Sequence, residues 1–186
     1  MKRCFDILAS ASALVFFSPL MVIIGLCIKL SSSGPIIFWS DRVGRNNKNF
    51  SMPKFRSMFV NTPAVATDLM KNPEQWITPL GNFLRKTSLD ELPQFWSILK
   101  GDMSFVGPRP ALYNQYELTK LRTNLGVDAL RPGLTGWAQV NGRDNLPVKK
   151  KVALDHYYLK TKSFKFDIYI IWLTFIKVIK LDGVSH

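Results

Sequence analysis

The sequence predicts an α+β protein, mainly helical, with an apolar N-terminal helix, one short β-hairpin and several amphipathic helices. Three observations carry that prediction. Residues 7–28 contain no charged side chain, a run of 22, and roughly 20 apolar residues suffice to cross a bilayer as a helix. Residues 35–39 and 50–58 are short apolar-rich runs around Gly44-Arg45-Asn46-Asn47-Lys48, the pattern of a hairpin with a polar loop. Beyond them, short basic helical segments alternate with Gly- and Pro-rich connections.

The 186 residues suit one domain with a real core. A net charge of +12 calls for an anionic partner: nucleic acid, anionic lipid or a phosphorylated substrate. Yet 47% of the residues are hydrophobic, with five Trp and thirteen Phe. Basic and greasy together favour a membrane surface over a soluble nucleic-acid module. Cys4 and Cys27 offer neither a disulfide framework nor zinc spacing, and read as small apolar residues in a reducing compartment.

Lys2 and Arg3 precede the apolar run, and Lys29, Arg42, Arg45 and Lys48 follow it. Basic flanks prefer the cytoplasm, so a simple span has the wrong charge on one side. Within the run lies Phe17-Ser18-Pro19, where proline kinks or breaks a helix. Three readings fit these residues: a re-entrant hairpin turning at Ser18-Pro19, a straight span, and a signal peptide. Lys29 stands where signal cleavage would be expected, which weakens the last.

After the hairpin, residues 61–78 read as a short helix or loop, and 81–86 as a short basic helix. Residues 90–99 read as another helix, with Pro93 in its first turn. Residues 113–124 suggest a surface helix, 131–143 a structured loop and 147–162 a strongly basic helix. The segment 166–181 is apolar except for a narrow polar stripe of Asp167, Thr174, Lys177 and Lys180. Such a stripe fits a helix lying in a membrane interface, with a central core helix as the alternative.

The chemistry concentrates in Ser88-Leu89-Asp90-Glu91-Leu92-Pro93-Gln94 and in residues 100–110. Asp90 and Glu91 are adjacent carboxylates, suited to nucleophilic attack and to a hard divalent cation. Equally, Ser88 with Glu91 three residues on has capping-box spacing. Arg109 is locked between Pro108 and Pro110, and a rigid guanidinium grips phosphate oxygens well. Lys54, Arg56 and Arg85 add to a candidate anion pocket. No GxxxxGK[ST] loop occurs, and His156 and His186 lack Ser or Cys partners.

Taken in order, Lys2-Arg3-Cys4-Phe5-Asp6, Phe17-Ser18-Pro19, Lys54-Phe55-Arg56-Ser57-Met58, the segments around Asp90 and Arg109, Arg131-Pro132-Gly133-Leu134-Thr135-Gly136-Trp137 and Asp155-His156-Tyr157-Tyr158 form one pattern. It resembles the bacterial sugar transferases, the small monotopic phosphoglycosyl transferases. The resemblance implies transfer of a sugar-1-phosphate from a UDP-sugar to undecaprenyl phosphate, giving UMP. It assigns Asp90 as nucleophile and Mg²⁺ ligand, Glu91 as its assistant, and Arg109, Lys54 and Arg85 as phosphate-binding groups. It also favours the re-entrant reading, with Ser18 and Pro19 at the break. Residues 1–30 would be the membrane helix and 31–186 one catalytic domain with interfacial helices. The protein would then be monotopic on the cytoplasmic face of the bacterial inner membrane, in contact with phospholipid. It would be the minimal catalytic form, with downstream glycosyltransferases as partners and no nucleic acid. Residues 61–78 and 131–143 are the candidates for sugar choice. Two other classes remain: a non-enzymatic scaffold of a glycosylation complex, and a basic membrane-associated nucleic-acid binder.

Overall fold

The uncharged run folds as the core of the longest element. In a computed structural model, which describes residues 1–63, 72–142 and 146–179, helix α1 spans Lys2–Ser31. Pro19 lacks the N–H that would bond the Val15 carbonyl. Ser18 Oγ donates to that carbonyl instead, at 2.8 Å, and helical conformation continues through Ser18 and Pro19. One side of α1 packs on the protein through Ile24 and Ile28, with Leu14, Phe17, Leu20 and Met21 beside them. Leu8, Val15, Phe16, Val22, Ile23 and Leu26 remain exposed.

Both ends of α1 are tied to the same body. At its start, Arg3 Nη1 and Nη2 donate to the carbonyls of Ile98 and Leu99, at 2.6 and 2.8 Å. Buried Asp6 accepts from Ser104 Oγ and the Phe105 N–H. Beyond its end, Arg56 donates to the carbonyls of Ser33 and Ser32, at 2.6 and 2.8 Å.

The predicted hairpin is present as β1 (Ile37–Val43) and β2 (Asn49–Phe55), antiparallel from Ile37 opposite Phe55 to Val43 opposite Asn49. Its loop uses Asn46 and Asn47 at φ 54° and 57°, a left-handed conformation that asparagine tolerates. Next come α2 (Pro79–Lys86), α3 (Gln94–Lys100), β3 (Ser104–Val106) and β4 (Ala111–Leu112). The remaining elements are α4 (Tyr116–Asn124), β5 (Gly133–Thr135), α5 (Trp137–Val140), α6 (Val148–Thr161) and α7 (Phe164–Ile179). Strand β4 joins β1, giving the order β2-β1-β4, so Pro53 lies on an edge strand where no ladder bond is lost. Strands β3 and β5 form a separate parallel pair. The main core lies between α1, β2, α2 and α3, around Met52, Phe55, Leu84, Phe95 and Ile98.

Two expectations change in detail. The helix expected over 90–99 begins only at Gln94, with Pro93 as its N-cap residue. Pro93 has no N–H for the Leu89 carbonyl, which accepts from Leu92 at 3.3 Å. Asp90 and Glu91 therefore occupy a separate 3-10 turn, Leu89–Glu91. In α7, Asp167 and Thr174 of the polar stripe face the protein. Asp167 is buried against Lys2 Nζ at 2.7 Å and Tyr158 Oη, and Thr174 shares a 2.6 Å hydrogen bond with Thr135. Ile168, Tyr169, Trp172 and Phe175 face outward. Lys180, residues 64–71 and Arg143 lie outside the described residues, so part of the expected sugar-choosing segments does too.

Candidate active site

Between β2 and the turn before α3, the chain brings its acidic pair to its cations. Lys54 lies in β2 opposite Phe38 of β1. Its Nζ donates to Glu91 Oε1 at 2.8 Å and stands 3.9 Å from Asp90 Oδ2. Arg109 Nη1 reaches the same Glu91 oxygen at 3.8 Å. The capping box is not formed: Ser88 is left-handed at φ 57° and its side chain caps nothing. Glu91 is turned to Lys54 and Arg109 instead.

Asp90 is 7% exposed and accepts no hydrogen bond from the described residues. Burial pushes its carboxyl above the usual range, and the charge of Glu91 adds to this; Lys54, Arg85 and Arg109 pull it back. Arg85 thus belongs to the site through its field, while its Nη1 contacts Met58 Sδ at 3.5 Å.

The Pro108-Arg109-Pro110 segment is held from two sides. Arg122 Nη1 donates to the Arg109 carbonyl at 2.8 Å, and Asp155 Oδ2 grips the Arg122 guanidinium at 2.7 and 3.0 Å. Arg42 Nη1 donates to the Pro110 carbonyl at 3.2 Å. Beneath it, the Gly107 N–H bonds the Thr135 carbonyl and the Gly133 N–H bonds the Pro108 carbonyl, each at 2.9 Å. A Cβ on Gly133 would collide with the Gly107 backbone. That close approach is why glycine stands in both segments.

These groups border a small open recess lined by Arg42, Lys54, Glu91, Gln94, Arg109 and Leu134 among others. Asp90 adjoins it beside Glu91 and Lys54. Of the sequence candidates, Asp90, Glu91, Lys54 and Arg109 converge and Arg85 acts on Asp90 electrostatically. Arg56 instead holds the end of α1, and Ser18 and Pro19 belong to α1 alone. Arg42 and Gln94 carried no assignment in the sequence. The spacing of Gln94 four residues after Asp90 was the available signal for the second, and nothing local marks the first. A second recess, which also includes Arg109, is lined by Gly44, Asn47, Thr119 and Asp128.

Among the described residues, no group of three or more His, Cys, Asp or Glu side chains is arranged to hold a metal. Asp90 with Glu91 nonetheless fits Mg²⁺, which takes one or two carboxylates and completes its shell with substrate phosphates and water. Glu91 is occupied by Lys54 and Arg109, so Asp90 is the carboxylate that would hold such an ion.

Comparison with known proteins identifies the family. The profile of the family described as Bacterial sugar transferase matches residues 1–181. The chain is 42% identical over 185 residues to a UDP-glucose:undecaprenyl-phosphate glucose-1-phosphate transferase of Escherichia coli, covering 95% of this chain and 40% of that one. It is 38% identical over 179 residues to a UDP-N-acetylgalactosamine-undecaprenyl-phosphate N-acetylgalactosaminephosphotransferase of Aeromonas hydrophila, covering 93% and 42%. It is 37% identical over 188 residues to the exopolysaccharide production protein ExoY of Sinorhizobium fredii, covering 93% and 83%. The chain spans about two fifths of the length of the first two relatives. With its acidic pair, its proline-locked arginine and a profile match along nearly its whole length, the chain belongs to the bacterial sugar transferase family.

Proposed function

We propose that the protein transfers a sugar-1-phosphate from a UDP-sugar to undecaprenyl phosphate, through a covalent intermediate on Asp90. The observation that carries this reading is the division of labour in the acidic pair. Glu91 is bound to Lys54 and Arg109, whereas the buried carboxylate of Asp90 stands beside Lys54 and in the field of Arg109 with no hydrogen bond from the described residues. The activities of the relatives from Escherichia coli and Aeromonas hydrophila suggest the substrate classes.

In the first half-reaction an Asp90 carboxylate oxygen attacks the phosphorus that bears the sugar. The bond from that phosphorus to the oxygen of the nucleotide phosphate breaks, and UMP leaves with the electron pair. Asp90 then carries the phosphosugar as an acyl phosphate. An oxygen of undecaprenyl phosphate attacks the same phosphorus, the bond to Asp90 breaks, and the carboxylate returns. Two steps on one nucleophile give ping-pong kinetics. Lys54 and Arg109 neutralise the equatorial oxygens as charge develops, and Glu91 holds both cations in place. Mg²⁺ bound at Asp90 would offset the repulsion between the carboxylate and the incoming diphosphate.

A lipid acceptor requires a membrane-bound site, and α1 supports the re-entrant topology on the cytoplasmic face of the inner membrane. Thirty residues of straight helix reach ~45 Å, more than the ~30 Å hydrocarbon core. Arg3 and Asp6 at one end and Arg56 at the other nevertheless bind one folded body. The outward aromatic face of α7 suits the same interface.

The test is UMP release from a panel of UDP-sugars with undecaprenyl phosphate and Mg²⁺, for wild type and Asp90→Asn. Release by the wild type and its loss in the variant are expected. Without acceptor, mass spectrometry should find one sugar phosphate on the peptide containing Asp90. Equal UMP from both proteins would remove Asp90 as nucleophile. A folded, membrane-bound wild type that turns over no donor would favour a scaffold.

A further inference from the structure

Gln94 is the first residue of α3 and follows the Asp90 turn by one helical step of four residues. Leu92 and Pro93 between them are both right-handed helical, so residues 90 and 94 share a face. The residue is 2% exposed and lines the recess with Lys54, Glu91 and Arg109. Its side-chain Nε2 is buried and meets no hydrogen-bond partner among the described residues.

A buried amide nitrogen without a partner destabilises a fold, and Leu or Met would fill the same space without that cost. The position makes sense if a ligand completes the bond. Nε2 carries two N–H donors and no acceptor, so the ligand atom must accept. Gln94 shares the recess wall with Lys54 and Arg109, both donor-only and positively charged, which selects an anionic acceptor over a sugar hydroxyl. Phosphoryl oxygens carry only lone pairs and bond well to fixed N–H groups. With no bond to a described residue to give up, Nε2 would keep nearly the whole gain on binding.

We infer that Gln94 Nε2 donates to a phosphoryl oxygen of the bound substrate and is a further catalytic residue of this recess. The inference rests on the phosphoryl transfer proposed above and adds a neutral donor of fixed direction to the cations. Placed one turn from Asp90, that donor would hold an equatorial oxygen while the bonds to the nucleophile and leaving group exchange.

The test uses the full chain in detergent, with Gln94→Met, which keeps length and removes the donor, and Gln94→Asn, which keeps the carboxamide but withdraws it by one methylene. Inorganic pyrophosphate, with Mg²⁺ present, is the binding probe, read by its effect on thermal unfolding. Pyrophosphate should raise the Tm of the wild type, less that of Gln94→Asn, and least that of Gln94→Met. Without ligand, Gln94→Met should melt at or above the wild-type temperature, an outcome a purely structural glutamine would reverse. For turnover, kcat/KM should fall about tenfold to a hundredfold in Gln94→Met, the usual range for a hydrogen bond to a charged group. Equal pyrophosphate shifts in wild type and both variants, or turnover within twofold in Gln94→Met, would overturn the contact. A wild type that binds pyrophosphate through Gln94 yet releases no UMP would sink the proposed reaction and leave the contact standing.

Discussion

Burial raises the proton affinity of Asp90 above the ordinary value of 3.8, outweighing Lys54, Arg85 and Arg109. A carboxyl that binds its proton more tightly when folded makes stability fall as pH rises through the window above 3.8. Asp90→Asn should therefore raise the Tm at neutral pH while abolishing UMP release, the trade expected of a strained functional group. The same shift predicts an acid limb in the rate profile above the ordinary aspartate range, where the proposed nucleophile becomes protonated. Glu91 is one of the charges that raise Asp90. Glu91→Gln should move that limb to lower pH and slow the reaction, since Lys54 and Arg109 lose their anchor; an unmoved limb would dissociate Glu91 from Asp90. Asp90, Glu91, Lys54 and Arg109 were legible because they stand in distinctive segments. Arg42 was not, because its value lies in the carbonyl of Pro110, 68 residues away.

At the scale of elements, the arginine clamp depends on helices that never touch the recess. Arg122 of α4 and Asp155 of α6 are 9% and 1% exposed, and together they fix the Arg109 carbonyl. Removing one partner of such a pair strands a buried charge. Asp155→Ala should cost about 3–5 kcal/mol in denaturant unfolding. Replacing both residues by Met should recover much of the stability but little of the activity, because nothing then donates to Arg109. Recovery of both would show that the pair serves the fold alone. Helix α7 shows how far a pattern can be read. Its narrow polar stripe was plain in sequence, but its direction was not. Lys2, brought from the other end of the chain, supplies the charge that buries Asp167, leaving aromatic groups outside.

For the whole molecule, the decisive arrangement is that both ends of α1 bind one body. Single-cysteine variants, one retaining Cys4 and one carrying Ser33→Cys, should react with a membrane-impermeant maleimide from the same side of the bilayer. Labelling confined to inside-out vesicles is expected for both; opposite sides would establish a straight span. Ser18 makes the apolar path through Pro19 workable by satisfying the Val15 carbonyl, a local repair that its position beside proline already suggested.

By itself the sequence determined what is local. Apolar run length set α1, the Gly- and Asn-rich loop set the hairpin, and the residues around Asp90 and Arg109 marked the candidate site. These follow from helix period, turn preference and side-chain type, which act over a few residues. Only the tertiary structure decided whether Glu91 would cap its own turn or hold Lys54 and Arg109. Only it decided which way Asp167 and Thr174 of α7 turn, and that Gln94 keeps a buried donor without a partner among the described residues. Those outcomes depend on which distant charge or carbonyl arrives beside a group, and burial makes that neighbour count for more than any local preference.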